Sequence, residues 1–153
     1  MLVAAVRARF DFDRMTRDQA LALSAEHPRA ELIARLRQSA TTSRRMPLSG
    51  PLDPLMDLVI HAQDIVRPLG RVHESPPEVV AACLAHVATH RFMGGPALLR
   101  GVRVVSADSG WTLGDGAELR GPDPELLLVA AGRPAGLAGL SGPGVGVVAP
   151  RLA

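Results

Sequence analysis

Residues 53–70 read Asp53-Pro-Leu-Met-Asp-Leu-Val-Ile-His-Ala-Gln-Asp-Ile-Val-Arg-Pro-Leu-Gly70, and this stretch predicts a single capped helix. Asp53 is a suitable N-cap, and Pro54 suits the first helical position. Pro68 and Gly70 are residues that end helices, so we expect the helix to finish just before them. The chain on both sides can be interpreted from this helix.

The polar side of the predicted helix carries a metal-ligand spacing. Asp57 and His61 are four residues apart, so at about 100° per residue they share one side of the helix with Asp64. A carboxylate and an imidazole one turn apart can supply two ligands of a divalent cation. The same spacing also fits an exposed helix on which the two residues form only a weak ion pair. The apolar residues expected to face the core are Leu55, Leu58, Val59, Ala62, Ile65 and Val66.

Length and composition set limits on the class of protein. The 153 residues can bury one ordinary core or two small packed lobes. All 17 basic residues are arginine, and lysine, asparagine and tyrosine are missing, as is typical of GC-rich bacterial genomes. The net charge of +2 is not gathered into a strongly basic segment, so we expect no nucleic-acid partner.

The single cysteine and the chain start bear on the compartment. Cys83 has no partner in this sequence for a disulfide, which favours a reducing cytoplasm, and we expect it to act as a small core residue. The apolar residues 1–6 are too few to cross a bilayer and lack the features of a signal peptide. We therefore expect no membrane partner.

The first part of the chain predicts helices. Residues 16–26 read as a helix opened by a capping box, and Pro28 starts the next one. Ser75-Pro-Pro-Glu78 resembles a second capping box, which opens a helix to about Phe92. The apolar residues at helical spacing that form its expected inner face are Val80, Cys83, Leu84 and Val87.

The later part predicts a small α+β lobe. Residues 102–105 and 111–113 favour strands, and Gly114-Asp-Gly116 predicts a turn into a third strand at 117–120, so we expect antiparallel pairing. Residues 126–131 predict a short apolar helix and residues 145–149 a last strand. The order of helices followed by a mixed lobe indicates an α+β fold.

A second histidine pair competes with the first. His86 and His90 are also four residues apart on a predicted helix, a spacing that binds metals in other proteins. The alternative is a boundary or solvent-facing position for both, because they lie to one side of the expected inner face.

Two stretches carry a resemblance to a known family. His61-Ala-Gln-Asp-Ile-Val-Arg-Pro-Leu-Gly70 resembles the mycothiol-dependent maleylpyruvate isomerase family of actinobacteria, metal-binding relatives of the DinB-like four-helix bundles. Trp111-Thr-Leu-Gly-Asp-Gly-Ala-Glu-Leu-Arg-Gly-Pro122, followed by Glu125-Leu-Leu-Leu and Ala131-Gly-Arg133, is similar to the C-terminal lobe of that family.

The resemblance implies a fold. Residues 1–95 would form a DinB-like helical bundle that is incomplete at its N-terminus, and residues 96–153 a sterol-carrier-protein-like α+β lobe. Family members have a longer N-terminal segment that supplies another histidine ligand, and residues 1–50 lack that motif. We therefore expect either that further residues precede Met1 or that this is a shortened member.

The resemblance also implies a chemistry. Asp57, in place of the more usual glutamate, and His61 would bind a divalent metal, commonly zinc, and Arg133 would hold a substrate carboxylate. With mycothiol as thiol cofactor, the protein would be an isomerase or thiol transferase for a small-molecule substrate. The alternatives are a non-catalytic member that binds a ligand or self-associates as a homodimer, and a bundle completed by a partner chain.

Overall fold

The computed structural model describes residues 12–42, 49–90 and 93–153. The chain divides into two compact units, residues 1–45 and 46–153. The first unit contains helices α1 (Phe12–Glu26) and α2 (Arg29–Ser39). Pro28 directly precedes α2, where a missing backbone N–H leaves no helical hydrogen bond unmade. Both predicted helices are confirmed, although α1 begins at Phe12 instead of Thr16.

In the described part of the second unit, helices come before the strands. Helix α3 (Asp53–Val66) continues into a 3-10 turn at Arg67–Leu69. Helix α4 (Pro77–Thr89) and the short helix α5 (Gly95–Leu98) follow. The predicted inner face of α4 is confirmed, since its four residues are between 0% and 4% exposed. The expected end near Phe92 lies outside the described residues.

The predicted inner face of α3 is wrong in part. Val59 is buried as expected, but Leu58 and Ile65 are 66% and 64% exposed, while Met56 and Ile60 are buried in their place. Apolar residues occur on both sides of α3, so their spacing alone fits two faces. The packing partner selects between them. The buried face therefore borders Asp57 and His61 directly.

Three short strands form a mixed sheet in the order β2-β1-β3. They are β1 (Val102–Ser106), β2 (Thr112–Leu113) and β3 (Ala117–Gly121). Strand β1 pairs antiparallel with β2, Val104 opposite Leu113, and parallel with β3, Val104 opposite Leu119. The α+β fold class is confirmed.

The expectation of purely antiparallel strands is wrong, because β3 crosses to the far side of β1. Gly114 and Gly116 make this crossing possible: both have positive φ, 77° and 120°, and both lie close to the backbone at the start of β1. A Cβ at Gly114 would be 2.6 Å from the carbonyl oxygen of Val102. A side chain at either glycine position would be strained by the positive φ, and its Cβ would crowd this backbone.

The last segment is helical. Helix α6 (Asp123–Ala130) is followed by a 3-10 helix at Pro134–Gly139, then by α7 (Gly144–Val148) and a 3-10 turn at Ala149–Arg151. The predicted helix at 126–131 is confirmed within a residue at its end, and the predicted strand at 145–149 is wrong.

Close packing on β3 explains why residues 144–148 are helical. The outer edge of β3 is used by an isolated bridge between Arg120 and Ser141. A Cβ at Gly144 would be 2.7 Å from the carbonyl oxygen of Glu118, so the first turn of α7 lies directly on the strand. Val148 at the other end of α7 is fully buried. The valines thus reach the core from a helix, despite their β propensity.

One hydrophobic core joins the helices and the sheet of the second unit, and α4 packs extensively against α6. The predicted division between residues 1–95 and 96–153 stays a prediction, and the core is continuous across it. No helix among the described residues combines the length and the apolar character needed to cross a membrane. The buried residues of this core are Met56, Val59, Ile60, Val80, Cys83, Leu84, Val87, Ala88, Leu99, Val102, Val104, Leu119, Leu126, Leu127, Leu128, Val129, Ala130 and Val148.

Candidate functional site

A small cavity of about 80 Å³ is lined by all three residues predicted as site residues from the sequence. Asp57 and His61 reach it from α3, and Arg133 from the loop after α6. The walls are otherwise apolar, because the buried face of α3 and the inner face of α4 meet here. The other lining residues are Met56, Ile60, Val87, Met93 and Ala131.

Asp64 connects two of these residues. Its Oδ2 lies 3.0 Å from Nδ1 of His61 and accepts a hydrogen bond of 3.1 Å from Nη2 of Arg133. Nη1 of Arg133 donates to the carbonyl oxygen of Ala131 at 2.6 Å. Partial burial pushes the pKa of Asp64 up, but the hydrogen bonds and charges of Arg133 and His61 together outweigh it and hold the pKa below its ordinary value. The carboxylate is therefore ionised at neutral pH.

The ionised carboxylate of Asp64 fixes the tautomer of His61. A carboxylate can only accept, so Nδ1 of His61 carries the proton of this contact. Nε2 is left as the nitrogen that can accept a proton or bind a metal. The side chain of His61 is 61% exposed, so a ligand can reach it from solvent.

The predicted ligand pair Asp57 and His61 therefore faces one cavity, but the weak ion pair considered as its alternative is not formed, since His61 contacts Asp64 instead. A catalytic zinc site has three protein ligands. Among the described residues, Asp57 and His61 belong to no group of three histidine, cysteine or carboxylate side chains whose ligand atoms all lie within 4.8 Å of one another, although Asp64 contacts His61. Its role as a metal site stays a prediction.

A second cluster of possible metal ligands is formed by Asp53, His86 and His90, whose ligand atoms all lie within 4.8 Å of one another. Nε2 of His86 lies 2.7 Å from Oδ1 of Asp53, and the two imidazole rings are 4.9 Å apart at their centres. The histidine spacing indicated two of the three members of this cluster. Asp53 was missed because it is 33 residues from His86 in sequence and was interpreted only as a helix cap.

Asp53 does not occupy the predicted N-cap position. Leu52 is the N-cap and Asp53 the first helical residue. Its Oδ2 accepts a hydrogen bond of 2.7 Å from the backbone N–H of Gly50, outside the helix, which leaves Oδ1 for His86. The hydrogen bond from His86, followed by that from Gly50, lowers the pKa of Asp53.

A larger cleft of about 340 Å³ lies between α3, α4 and α6. Its wall includes Val59, Ile60, Val80, Leu127 and Leu128, so it is mainly apolar. Arg67 and Glu125 also line it, and they are paired with each other.

No family model, no curated protein and no solved structure matches the chain.

Proposed function

We propose that this protein is a thiol-dependent isomerase or thiol transferase of the mycothiol-dependent maleylpyruvate isomerase family. It would act on a small carboxylate at the cavity of Asp57, His61 and Arg133. In this proposal α3 and α4 belong to a DinB-like bundle, and the sheet with α6 and α7 is the sterol-carrier-protein-like lobe. The supporting observation is that Arg133, distant in sequence, lines the same cavity as Asp57 and His61.

The resemblance implies a divalent metal, commonly zinc, and Asp57 with His61 would supply two of its ligands. The described residues do not complete that site, so the chemistry proposed below is that of the side chains themselves. Mycothiol would supply the thiol, as the resemblance implies.

His61 can serve as the base for the thiol. Asp64 holds the imidazole with its proton on Nδ1, so Nε2 can take the thiol proton. The thiolate then adds to a carbon–carbon double bond conjugated with a carbonyl group of the substrate. The resulting single bond rotates, and elimination of the thiolate gives the isomer. The proton returns from His61 to the thiol, so the reaction is balanced.

Arg133 can hold the substrate carboxylate. Its contacts with Asp64 and Ala131 use three of the five N–H donors of the guanidinium, which leaves two for a ligand. Arginine binds carboxylates with paired hydrogen bonds, which fixes the substrate's orientation as well as its affinity. The same contacts hold Arg133 beside His61.

A rate assay tests the proposal. The chain is incubated with mycothiol and a cis-configured unsaturated dicarboxylate, and isomerisation is followed by ultraviolet absorbance. We expect thiol-dependent turnover that His61→Ala lowers by about 100-fold and that Arg133→Gln impairs mainly through KM. Arg120→Gln, an exposed arginine on β3, is the matched control. Absence of thiol-dependent turnover, or a His61→Ala variant as active as the unaltered chain, would contradict it.

A second candidate function is self-association without catalysis. Leu58, Ile65, Leu69 and Val72 are between 64% and 85% exposed, an unusual set for large apolar residues close together in sequence. A second copy of the chain would cover them in a homodimer. Light scattering tests this candidate: a dimer that Ile65→Glu converts to monomer supports it, and a monomer at every concentration rejects it.

A further inference from the structure

Two helix ends meet at a place that the proposed function does not use. Asp53 is the first residue of α3, and His86 lies in the last turn of α4. His90 follows α4 directly, in an extended conformation with φ −80° and ψ 110°. One carboxylate and two imidazoles thus converge from different segments, and they share no residue with the cavity of Asp57 and His61.

The surroundings hold these groups in position. The Gly50 N–H fixes Oδ2 of Asp53, so Oδ1 is directed at the histidines. Such a hydrogen bond to the non-coordinating oxygen is typical of the outer shell of metal sites. The side chains of Asp53 and His86 are 20% and 19% exposed, so the cluster is mostly shielded but open to an ion from solvent.

The donor set selects a class of cation. Two imidazoles and one carboxylate suit zinc and similar divalent transition metals, whereas calcium and magnesium favour oxygen ligands. Three protein ligands leave a fourth tetrahedral position for water.

The Asp53–His86 distance is close to the separation of two ligand atoms at a metal. Metal–ligand bonds of about 2.0–2.1 Å at tetrahedral angles put neighbouring ligand atoms about 3.3 Å apart. The Asp53–His86 contact of 2.7 Å would therefore open by about 0.6 Å. Nε2 of His86, which donates to Asp53, would release its proton on binding, as metal-binding histidines do.

We propose that Asp53, His86 and His90 form a binding site for a divalent transition-metal cation of the zinc class. The ion would tie the start of α3 to the end of α4 and would therefore stabilise the second unit. The site is independent of the proposed isomerase function.

Zinc and cobalt titrations of the whole chain test the site. After treatment with a chelator, zinc binding is measured by calorimetry, and cobalt binding by the visible absorption that a tetrahedral site intensifies. We expect one zinc per chain at this site. His90→Ala should lower the association constant by about 100-fold or more, and His86→Ala likewise. His73→Ala, at an exposed histidine outside both sites, is the matched control and should leave this binding unchanged. His61→Ala and Asp57→Asn distinguish this site from the isomerase cavity.

A variant could bind zinc poorly only because it is less stable. Thermal unfolding is therefore measured as well. Zinc should raise the Tm of the unaltered chain, because it binds only the folded protein, but not the Tm of Asp53→Asn or His90→Gln. Absence of zinc binding by the unaltered chain would overturn the proposal, as would binding that survives both histidine substitutions. Binding lost only in His61→Ala and Asp57→Asn would overturn it too, and would instead favour a metal at the isomerase cavity.

Discussion

Arg67 and Glu125, 58 residues apart in sequence, form a paired ion contact between the end of α3 and the first turn of α6. Nη1 of Arg67 donates to Oε2 at 3.0 Å and Nη2 donates to Oε1 at 2.6 Å. Gln63 accepts a further hydrogen bond from Nε at 3.0 Å, so the guanidinium is held on two sides. Both side chains line the cleft between α3, α4 and α6. Their contact connects α3, which precedes the sheet in sequence, to α6, which follows it.

Breaking this pair should destabilise the second unit. The side chains are only 30% and 19% exposed, so we expect Glu125→Gln to lower the free energy of unfolding by about 1–2 kcal/mol, between the values for surface and buried pairs. Urea denaturation measures the change. Glu118→Gln, which removes an exposed ion pair on β3, is the control and should change little. Equal effects of the two substitutions would show that the Arg67–Glu125 contact contributes nothing specific.

Gly136 should not tolerate a methyl group. A Cβ there would be 2.5 Å from the carbonyl oxygen of Glu125 and 3.0 Å from Cβ of Leu128, so we expect Gly136→Ala to cost about 1–3 kcal/mol of stability. Gly146→Ala in α7 is the matched control. Apart from its chain neighbours and the backbone of its own helix, no atom lies within 4 Å of a Cβ at Gly146, and alanine favours helix by about 1 kcal/mol over glycine. Chemical denaturation of both variants should give changes of opposite sign.

Cys83 should resist thiol reagents in the folded protein. It is fully buried, and burial raises the pKa of its thiol above the ordinary value, so the reactive thiolate is scarce as well as inaccessible. We expect labelling to follow the unfolding transition as urea is added. Rapid labelling without denaturant, at a rate near that of free cysteine, would contradict the burial of α4 against α6.

Glu118 should titrate below its ordinary value of 4.5. The hydrogen bond from Arg120, together with the charges of Arg120 and Arg103, lowers its pKa. Because the pKa is lower in the folded state, this contribution to stability is present above the unfolded pKa and is lost as pH falls through the folded value. Carboxyl NMR should give a depressed midpoint, and Arg120→Gln should shift it back upward. An unchanged midpoint in that variant would reject the assigned cause.

The parts of the fold that depend on local signals could be predicted from the sequence. The spacing of Val80, Cys83, Leu84 and Val87 identified the buried face of α4, because these residues form a single clear apolar stripe along that helix. On α3 the same reasoning failed, since Leu58 and Met56 offer two faces and only the packing partner selects one. The parallel pairing of β1 with β3 was missed because strand order depends on long-range contacts, which a turn signal such as Gly114-Asp-Gly116 does not specify.

The candidate sites show the same limit. Helical spacing identified the His86 and His90 pair and placed Asp57 one turn from His61. It could not identify Asp53 as a neighbour of His86, because that contact depends on how the start of α3 meets the end of α4. Nor could it identify Asp64 as the link between His61 and Arg133, which arises only when the loop after α6 returns to α3.

The continuous core of the second unit has a consequence for protein engineering. Val80, Leu84 and Val87 of α4 and Leu127 and Val129 of α6 bury one another's surfaces, so neither set has a core of its own. A graft of the sheet and α6 onto another scaffold would have to carry the inner face of α4 with it. A substitution on the buried face of one of these helices should require a compensating substitution on the other. The two helices α4 and α6 would therefore be redesigned, or would diverge during evolution, as one unit.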